Sequence, residues 1–153
     1  IRATLTLFIS ELKTSSIEIH EDFDPDLPKI NGNKGQIMEV ILNIIKNARD
    51  VMRGTGRIFI STRAVAVDGR DFAVAEIRDT GPGIPGEIMD KIFDPFFTTK
   101  EKGGGLNIGL GLSISRSIIN AHGGGIQVES RPGEGATFRI FLPLSAPAAQ
   151  GSG

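Results

Sequence analysis

The chain of 153 residues contains no cysteine, tryptophan or tyrosine, and phenylalanine is its one aromatic residue type. The absence of cysteine excludes disulfides and thiolate metal sites, and it fits a reducing compartment. No apolar run approaches the roughly 20 residues that a membrane-spanning helix needs, and no signal peptide is visible. The net charge of −1 gives no sign of a nucleic-acid partner held by bulk electrostatics. We therefore expect a cytoplasmic domain that contacts neither nucleic acid nor membrane, whatever anchors the parent protein.

Glycine, in contrast, is abundant and unevenly distributed, since 13 of its 20 residues lie between Gly81 and Gly135. This clustering favours functional loops over a flexible linker. The content of 39% hydrophobic and 23% charged residues is typical of a soluble globular domain. We expect one folded domain over residues 1–144 and a disordered tail over 145–153. Because the first residue is Ile1, the sequence is expected to be a piece of a longer protein.

Hydrophobic periodicity predicts the secondary structure. Helical spacing predicts helices over residues 2–13, 36–52 and 109–122, and a short helix over 85–92. Alternation predicts strands over residues 17–23, 57–67, 72–79, 126–129 and 137–142, with a hairpin turn at 68–70. This order predicts an α+β fold of two layers, in which three helices cover one face of a mixed, mostly antiparallel sheet.

The most informative motif begins at Asp79, where a predicted strand ends and glycines follow. A carboxylate at this position can accept a hydrogen bond from the exocyclic amine of a purine. Because Gly81 and Gly83 have no Cβ, a flat ring can approach the backbone there. The motif therefore predicts a purine nucleotide site.

A polar stripe runs along the predicted helix 36–52, since Glu39, Asn43, Asn47 and Asp50 are spaced so that they share one side. A solvated helix face is the plain interpretation. Asparagine forms helices poorly, so two of them in one stripe favour a functional role. Neutral oxygen ligands suit Mg²⁺, which binds few protein groups alongside phosphates, and Asn47 is the best candidate ligand.

Glycine also opens the predicted helix 109–122, directly after the glycine-rich stretch 103–105. The N-terminus of a helix offers free N–H groups and a partial positive charge, which together can hold phosphate. Lys100 and Lys102 add mobile cations in the same loop. The alternative is that these glycines cap a surface helix.

Five segments occur in an order that resembles the catalytic ATP-binding domain of bacterial sensor histidine kinases. They resemble the N, G1, F and G2 boxes and the final glycine-and-threonine box of that family, and are Asn43–Asp50, Asp79–Ile84, Phe93–Lys100, Gly109–Ser113 and Gly133–Phe138. The family belongs to a superfamily shared with gyrase, MutL and the ninety-kilodalton heat-shock ATPase. The resemblance covers residues 1 to about 144, implies the two-layer Bergerat-type fold, and is strongest to the nitrogen-regulator type.

The resemblance implies an adenine site at the end of the strand 72–79. Asp79 would accept from the adenine amino group, and Gly81 and Gly83 would give the ring access. Ile84 and Phe138 would pack near the ring. Thr137 would support it through a hydroxyl and a water.

The resemblance also implies a phosphate and metal site. Asn47 would bind Mg²⁺ and Asn43 would face the phosphates. Residues 93–108 would form an ATP lid from which Lys100 reaches the phosphates. The helix start at 109–112, which comprises Gly109, Leu110, Gly111 and Leu112, would approach the phosphates closely.

The sequence departs from the family pattern at two places. Asn107 and Ile108 stand where the second glycine box usually begins with Gly-Thr. Asp50 stands where many relatives carry a lysine that contacts phosphate. An acid cannot do this directly, so we expect Asp50 to hold water around the metal or to pair with a basic side chain.

Taken together, the resemblance implies an ATP-dependent protein histidine kinase domain with ATP and Mg²⁺ as cofactors. It would pass the γ-phosphate to a histidine on a separate dimerisation and phosphotransfer domain, with a response regulator downstream. Two alternatives stay open, namely a gyrase-like ATPase and a nucleotide-binding module without turnover. Asn43 argues against the first, since gyrase-like enzymes carry a water-activating acid there. His20 and His122 are interpreted as structural.

Overall fold

The structure is a computed structural model that describes residues 16–27, 30, 32–52, 55–84, 86, 92–93 and 106–144. These residues form five strands and two helices, numbered here in chain order. They are β1 (Ser16–Asp22), α1 (Lys34–Val51), β2 (Thr55–Val67), β3 (Arg70–Asp79), α2 (Leu106–Ala121), β4 (Gly125–Ser130) and β5 (Ala136–Pro143). The predicted helices over 2–13 and 85–92 and the tail 145–153 lie wholly or mostly outside the described residues.

The strands form one sheet in the order β1-β2-β3-β5-β4. The edge strand β1 runs parallel to β2, and the other three pairs are antiparallel. The predicted hairpin between β2 and β3 is present. Its two turn residues, Asp68 and Gly69, both have positive φ, at 51° and 79°. Such angles match the tight turn whose twist suits a two-residue hairpin. The mixed, mostly antiparallel sheet predicted from the sequence is confirmed.

The core lies between one face of the sheet and the helices, because each element buries a single side. Along β5, Ala136, Phe138, Ile140 and Leu142 are buried, whereas the residues between them are only partly so. The helix α1 buries its wide apolar face in the same core, and its buried residues are Ile37, Met38, Val40, Ile41, Ile44, Ile45 and Ala48. The α+β sandwich with helices on one face is thereby confirmed, with two helices in the described part of the chain.

A histidine, His122, links the N-terminal end of α1 to the C-terminal end of α2. Asn33 caps α1, where its Oδ1 accepts from the N–H of Gln36 at 2.9 Å. The backbone N–H of Asn33 in turn donates to His122 Nε2 at 3.0 Å. The other ring nitrogen, Nδ1, lies 2.8 Å from the carbonyl oxygen of Ile118 near the end of α2. Since Nε2 accepts, Nδ1 carries the proton and donates. His122 therefore links the two helices.

The helix α2 begins earlier than the sequence predicts. It starts at Leu106, three residues before the predicted start at Gly109, so residues 106–108 belong to a helix and not to the end of a loop. Gly109 lies in the first turn and Gly111 in the second. Backbone N–H groups of a second turn bond to carbonyl groups of the same helix, so the free N–H groups lie nearer to Leu106.

Candidate nucleotide-binding site

Asp79 is a buried carboxylate at the end of β3. Its side chain is 5% exposed and lies on the core side of the sheet, opposite Ile58 of β2. Its Oδ1 accepts hydrogen bonds from the N–H of Gly81 at 2.8 Å and from the N–H of Ala136 at 3.3 Å. Burial raises the pKa of Asp79, and these two hydrogen bonds oppose the rise without cancelling it. Its Oδ2 accepts no hydrogen bond from the described residues.

The chain turns away from the sheet directly after Asp79. Thr80 extends the pairing with β2 by one residue, because its N–H donates to the carbonyl of Arg57 and its Oγ1 accepts from the N–H of Arg57. Gly81 follows, and a Cβ on it would lie 3.1 Å from Asp79 Oδ1 and 3.1 Å from Met52 Cγ. A side chain at Gly81 would therefore crowd both the carboxylate and the end of α1.

Residues 80–84 form a loop that packs closely on the hairpin between β4 and β5. Gly83 has φ +80°, and a Cβ on it would lie 2.1 Å from the carbonyl oxygen of Arg131. The N–H of Gly133 donates to the carbonyl of Pro82 at 2.6 Å. The two glycines predicted to give a ring access, Gly81 and Gly83, are thus both close to other atoms of the protein. Gly83 is required for backbone packing.

A serine hydroxyl adds to this packing and was not identified from the sequence. Ser130 Oγ accepts from the N–H of Ile84 at 2.8 Å and donates to the carbonyl of Gly135 at 2.6 Å. Ile84 is partly buried and packs against the core. The loop 80–84 and the β4–β5 hairpin are therefore fixed to each other beside Asp79.

The structure does not bring Thr137 to Asp79. Thr137 pairs with Arg78 of β3 and Glu129 of β4, and its side chain lies on the face of the sheet opposite the helices. Successive residues of a strand point to opposite faces, so Asp79 and Thr137 cannot meet. Ala136 contacts Asp79 instead, through its backbone N–H. Phe138, predicted to lie near the ring, is a core residue at 6% exposure.

Two asparagines of the predicted polar stripe have buried or partnered amides. Asn43 Nδ2 lies 3.4 Å from the hydroxyl of Ser115, a fully buried residue of α2. Asn47 Nδ2 is buried and makes no hydrogen bond within the described residues. An unpaired buried amide is costly, and it is a place where a ligand supplies the missing partner. One turn after Asn47, the end of α1 meets the loop at Gly81.

The other two residues of the stripe are acids. Asp50 lies 3.5 Å from the guanidinium of Arg49, so it pairs with a basic neighbour, one of its two predicted roles. Glu39 is exposed. Within the described ranges, no three His, Cys, Asp or Glu side chains cluster as a metal site. A metal ion here would need ligand phosphates besides the amide oxygen of Asn47, and such sharing is usual for Mg²⁺.

The predicted phosphate-binding segments are described only in part. Lys100 and residues 94–105 of the predicted lid lie outside the described residues. Phe93, where the predicted lid begins, lies under the guanidinium of Arg116 of α2 at 5.3 Å. Gly109, Leu110 and Gly111 lie in the first turns of α2, and Leu112 is a core residue at 6% exposure.

A concavity lies on the face of the sheet opposite the helices, which we call the open face. It has a volume of about 610 Å³, and Thr137, Ser61 and Arg139 are among its lining residues. Arg139 donates to Glu76 at 2.8 Å and to Glu129 at 2.9 Å, and these bonds raise the pKa of Arg139. Three of its lining side chains thus bond to one another, whereas Asp79 Oδ2 and Asn47 Nδ2 have no hydrogen-bond partner among the described residues.

Comparison with known proteins identifies a family and several relatives. Residues 32–146 match the family described as histidine kinase-, DNA gyrase B-, and HSP90-like ATPase. The chain is 41% identical over 152 residues to the sensor kinase CckA of Brucella abortus (strain 2308), covering 92% of this chain and 16% of CckA. It is 43% identical over 137 residues to the sensory histidine kinase/phosphatase NtrB of Vibrio alginolyticus, covering 84% of this chain and 38% of NtrB. The chain thus spans well under half of these curated relatives.

Solved structures of histidine kinases share the fold at 28% to 31% sequence identity. The catalytic domain of histidine kinase ThkA superposes with a TM-score of 0.77 and 31% identity, covering 93% of this chain and 88% of that one. ThkA has also been solved in complex with the response regulator protein TrrA, with a TM-score of 0.75, 30% identity, and coverage of 94% and 39%. Full-length ShkA in complex with AMPPNP superposes with a TM-score of 0.78 and 28% identity, covering 96% and 30%.

Within the described residues, no helix has the length and apolar character that crossing a membrane requires. A buried carboxylate beside glycines, asparagines on the adjoining helix and the match over residues 32–146 agree with one another. The chain belongs to the family of histidine kinase-, DNA gyrase B- and HSP90-like ATPases, as a catalytic domain of its histidine kinase branch.

Proposed function

We propose that this domain binds Mg²⁺-ATP and passes the γ-phosphate to a histidine on a separate dimerisation and phosphotransfer domain, from which a response regulator takes it. The observation that carries the proposal is the state of Asp79, whose buried carboxylate has one oxygen held by the protein and the other without a hydrogen bond from the described residues. Relatives named as sensor kinases and a neighbour solved with AMPPNP support the same assignment.

Asp79 provides the base specificity. Adenine carries an amine at the position where guanine carries a carbonyl oxygen. The second carboxylate oxygen, Oδ2, accepts a hydrogen bond from an amine, whereas a carbonyl oxygen at the same place would repel it. The backbone N–H groups of Gly81 and Ala136 hold Oδ1 and so fix the plane of the carboxylate. The domain therefore prefers ATP to GTP.

The asparagines of α1 hold the polyphosphate end. The amide oxygen of Asn47 ligates Mg²⁺, which when bound neutralises phosphate charge, and its buried Nδ2 donates to a phosphate oxygen or a metal-bound water. Asn43 faces the phosphates while Ser115 steadies its amide. Lys100 from the lid and the first turn of α2, which contains Gly109, complete the site.

The chemistry that the chain must supply is modest. Phosphoryl transfer depends mainly on positioning and charge neutralisation. A neutral imidazole attacks with its own lone pair, so the domain needs no side chain that activates the nucleophile. Asn43 is consistent with this, because an amide bonded to Ser115 cannot take a proton from water. This observation favours the kinase over a gyrase-like ATPase.

Calorimetry of ATP and GTP binding, with and without Mg²⁺, tests the proposal. We expect ATP to bind more tightly than GTP and Mg²⁺ to increase the affinity for ATP. Asp79→Asn should weaken the binding of ATP but not that of GTP. Asp22→Asn is the matched control, since Asp22 ends β1 and is exposed. Equal affinity for GTP and ATP contradicts the role of Asp79.

Phosphotransfer is tested with γ-labelled ATP and the helical domain of the same parent protein. Label on histidine identifies the kinase. Free phosphate without histidine labelling identifies an ATPase, and tight binding without turnover identifies a binding module.

A further inference from the structure

Ser130 occupies the point where the two segments around Asp79 meet. It is the last residue of β4, and its hydroxyl both accepts and donates. The accepted bond comes from the N–H of Ile84, at the end of the loop 80–84. The donated bond goes to the carbonyl of Gly135, at the end of the β4–β5 turn. The hydroxyl thus bridges two backbones at 2.8 Å and 2.6 Å.

Both bridged segments also contact the carboxylate of Asp79. The loop 80–84 contains Gly81, whose N–H donates to Oδ1. The peptide that joins Gly135 to Ala136 provides the second donor to the same oxygen. The separation of these two donors depends on how the loop and the hairpin are held together, and Ser130 is the side chain that holds both.

Two further links between the loop and the hairpin are backbone contacts. Gly133 donates to Pro82, and Gly83 packs against the carbonyl of Arg131. These contacts persist when a side chain is changed, so the contribution of Ser130 can be tested separately. Ser130 is partly buried, and without it the N–H of Ile84 would lose its acceptor. An unsatisfied donor shifts the backbone toward another partner.

We propose that Ser130 is a positioning residue of the adenine site. Its hydroxyl sets the distance between the loop 80–84 and the Gly135–Ala136 peptide, and thereby the orientation of the Asp79 carboxylate. This inference rests on the proposed function, because it concerns the affinity and base preference of that site.

The test uses the chain with Ser130→Ala, Ser130→Thr and the control Ser61→Ala. Ser61 lies on β2 and its hydroxyl makes no hydrogen bond within the described residues. Nucleotide affinity and amide exchange are measured well below the melting temperature, where each variant is folded. The first is given by the ATP and GTP dissociation constants, and the second by the hydrogen-exchange rate of the Ile84 amide.

We expect Ser130→Ala to weaken ATP binding by about tenfold and to narrow the preference for ATP over GTP, as the loss of one hydrogen bond with a donor left unpaired would do. The Ile84 amide should exchange about tenfold faster or more. Ser130→Thr keeps a hydroxyl in a residue suited to strands, so it should restore both quantities. Ser61→Ala should change neither.

Three results overturn the role of Ser130 while leaving the proposed function intact. The first is an ATP dissociation constant that is the same in Ser130→Ala as in a wild-type chain that binds ATP. The second is a lower melting temperature of Ser130→Ala with unchanged ATP affinity. The third is an equal loss of ATP affinity in Ser61→Ala. A wild-type chain that binds no ATP overturns the proposed function itself, and with it the adenine site that Ser130 is proposed to position.

Discussion

Gly135 lies against Asp79 so closely that a Cβ on Gly135 would stand 2.0 Å from the carbonyl oxygen of Asp79. Its φ is +76°, in the region that favours glycine. Gly133, two residues earlier in the same turn, has φ +82° but no atom within 4 Å of the position of a Cβ. The two glycines share a backbone requirement and differ in the space around them.

Substitution by alanine should therefore lower the free energy of unfolding by different amounts at Gly133 and Gly135. Gly133→Ala should lower the free energy of unfolding by about 1 to 2 kcal/mol, the cost of a positive φ. Gly135→Ala adds a steric clash and should cost about 3 kcal/mol or more. Urea denaturation measures both values. Equal losses would show that the backbone angle alone requires glycine at position 135.

Asp79→Asn is expected to weaken ATP binding and to stabilise the ligand-free domain. The substitution removes a charged acceptor, which corresponds to a loss of affinity of about tenfold to a hundredfold. It also removes a carboxylate whose ionised form is disfavoured by burial. Calorimetry and thermal unfolding at neutral pH measure the two effects. A lower melting temperature in Asp79→Asn than in Asp22→Asn would contradict the second.

The raised pKa of Asp79 also predicts how stability depends on pH. A group whose pKa is higher in the folded than in the unfolded state stabilises the fold below its unfolded pKa. That contribution is lost as the pH rises through the folded pKa. The advantage of Asp79→Asn over the wild type should therefore grow from about pH 4 toward neutrality. Melting temperatures of both chains across this range measure it, and a constant difference would contradict it.

Asn47→Ala should abolish the effect of Mg²⁺ on ATP affinity at little cost to the fold. The substitution removes an amide whose buried nitrogen has no hydrogen bond in the described structure, so the free energy of unfolding should change by less than about 1 kcal/mol. Asn120→Ala is the control, because Asn120 is an exposed asparagine of α2. Calorimetry with and without Mg²⁺ measures the effect. Retention of the Mg²⁺ effect in Asn47→Ala would exclude it as the metal ligand.

The two acids that bind Arg139 should differ in their contribution to stability. Glu76 is 24% exposed and also lies 3.8 Å from Arg63, whereas Glu129 is 71% exposed. Exposed ion pairs contribute little because water and salt screen them. Glu76→Gln should lower the free energy of unfolding by about 1 kcal/mol, and Glu129→Gln by roughly half a kcal/mol or less. Urea denaturation at low and high salt measures both, and a larger loss for Glu129→Gln would refute the ranking.

Elements with a strong hydrophobic period were predictable from the sequence. The helix predicted over residues 36–52 is found at Lys34–Val51, because its apolar residues recur at helical spacing. The strand predicted over 137–142 is found at Ala136–Pro143. The start of α2 was predicted too late because glycine usually marks a helix end, whereas here Gly109 and Gly111 lie within the helix.

The site was predictable where its signal is local, and not where it depends on how segments meet. Asp79 followed by Gly81 could be identified from neighbouring residues. Thr137 and Phe138 are adjacent in a strand, so they cannot both face the adenine site, and the alternation along β5 places Phe138 with the core. The role of Ser130 depends on two segments far apart in sequence that come together only in the fold. No local pattern indicates it.

Because the helices cover a single side of the sheet, side chains on the covered face and on the open face are constrained differently. Along β5, Phe138 and Ile140 must fill a fixed volume, whereas Arg139 and Phe141 next to them do not. Selection can thus alter the outer surface at every second position while the pocket keeps its shape. A family built in this way can acquire new neighbours in different parent proteins without changing its chemistry.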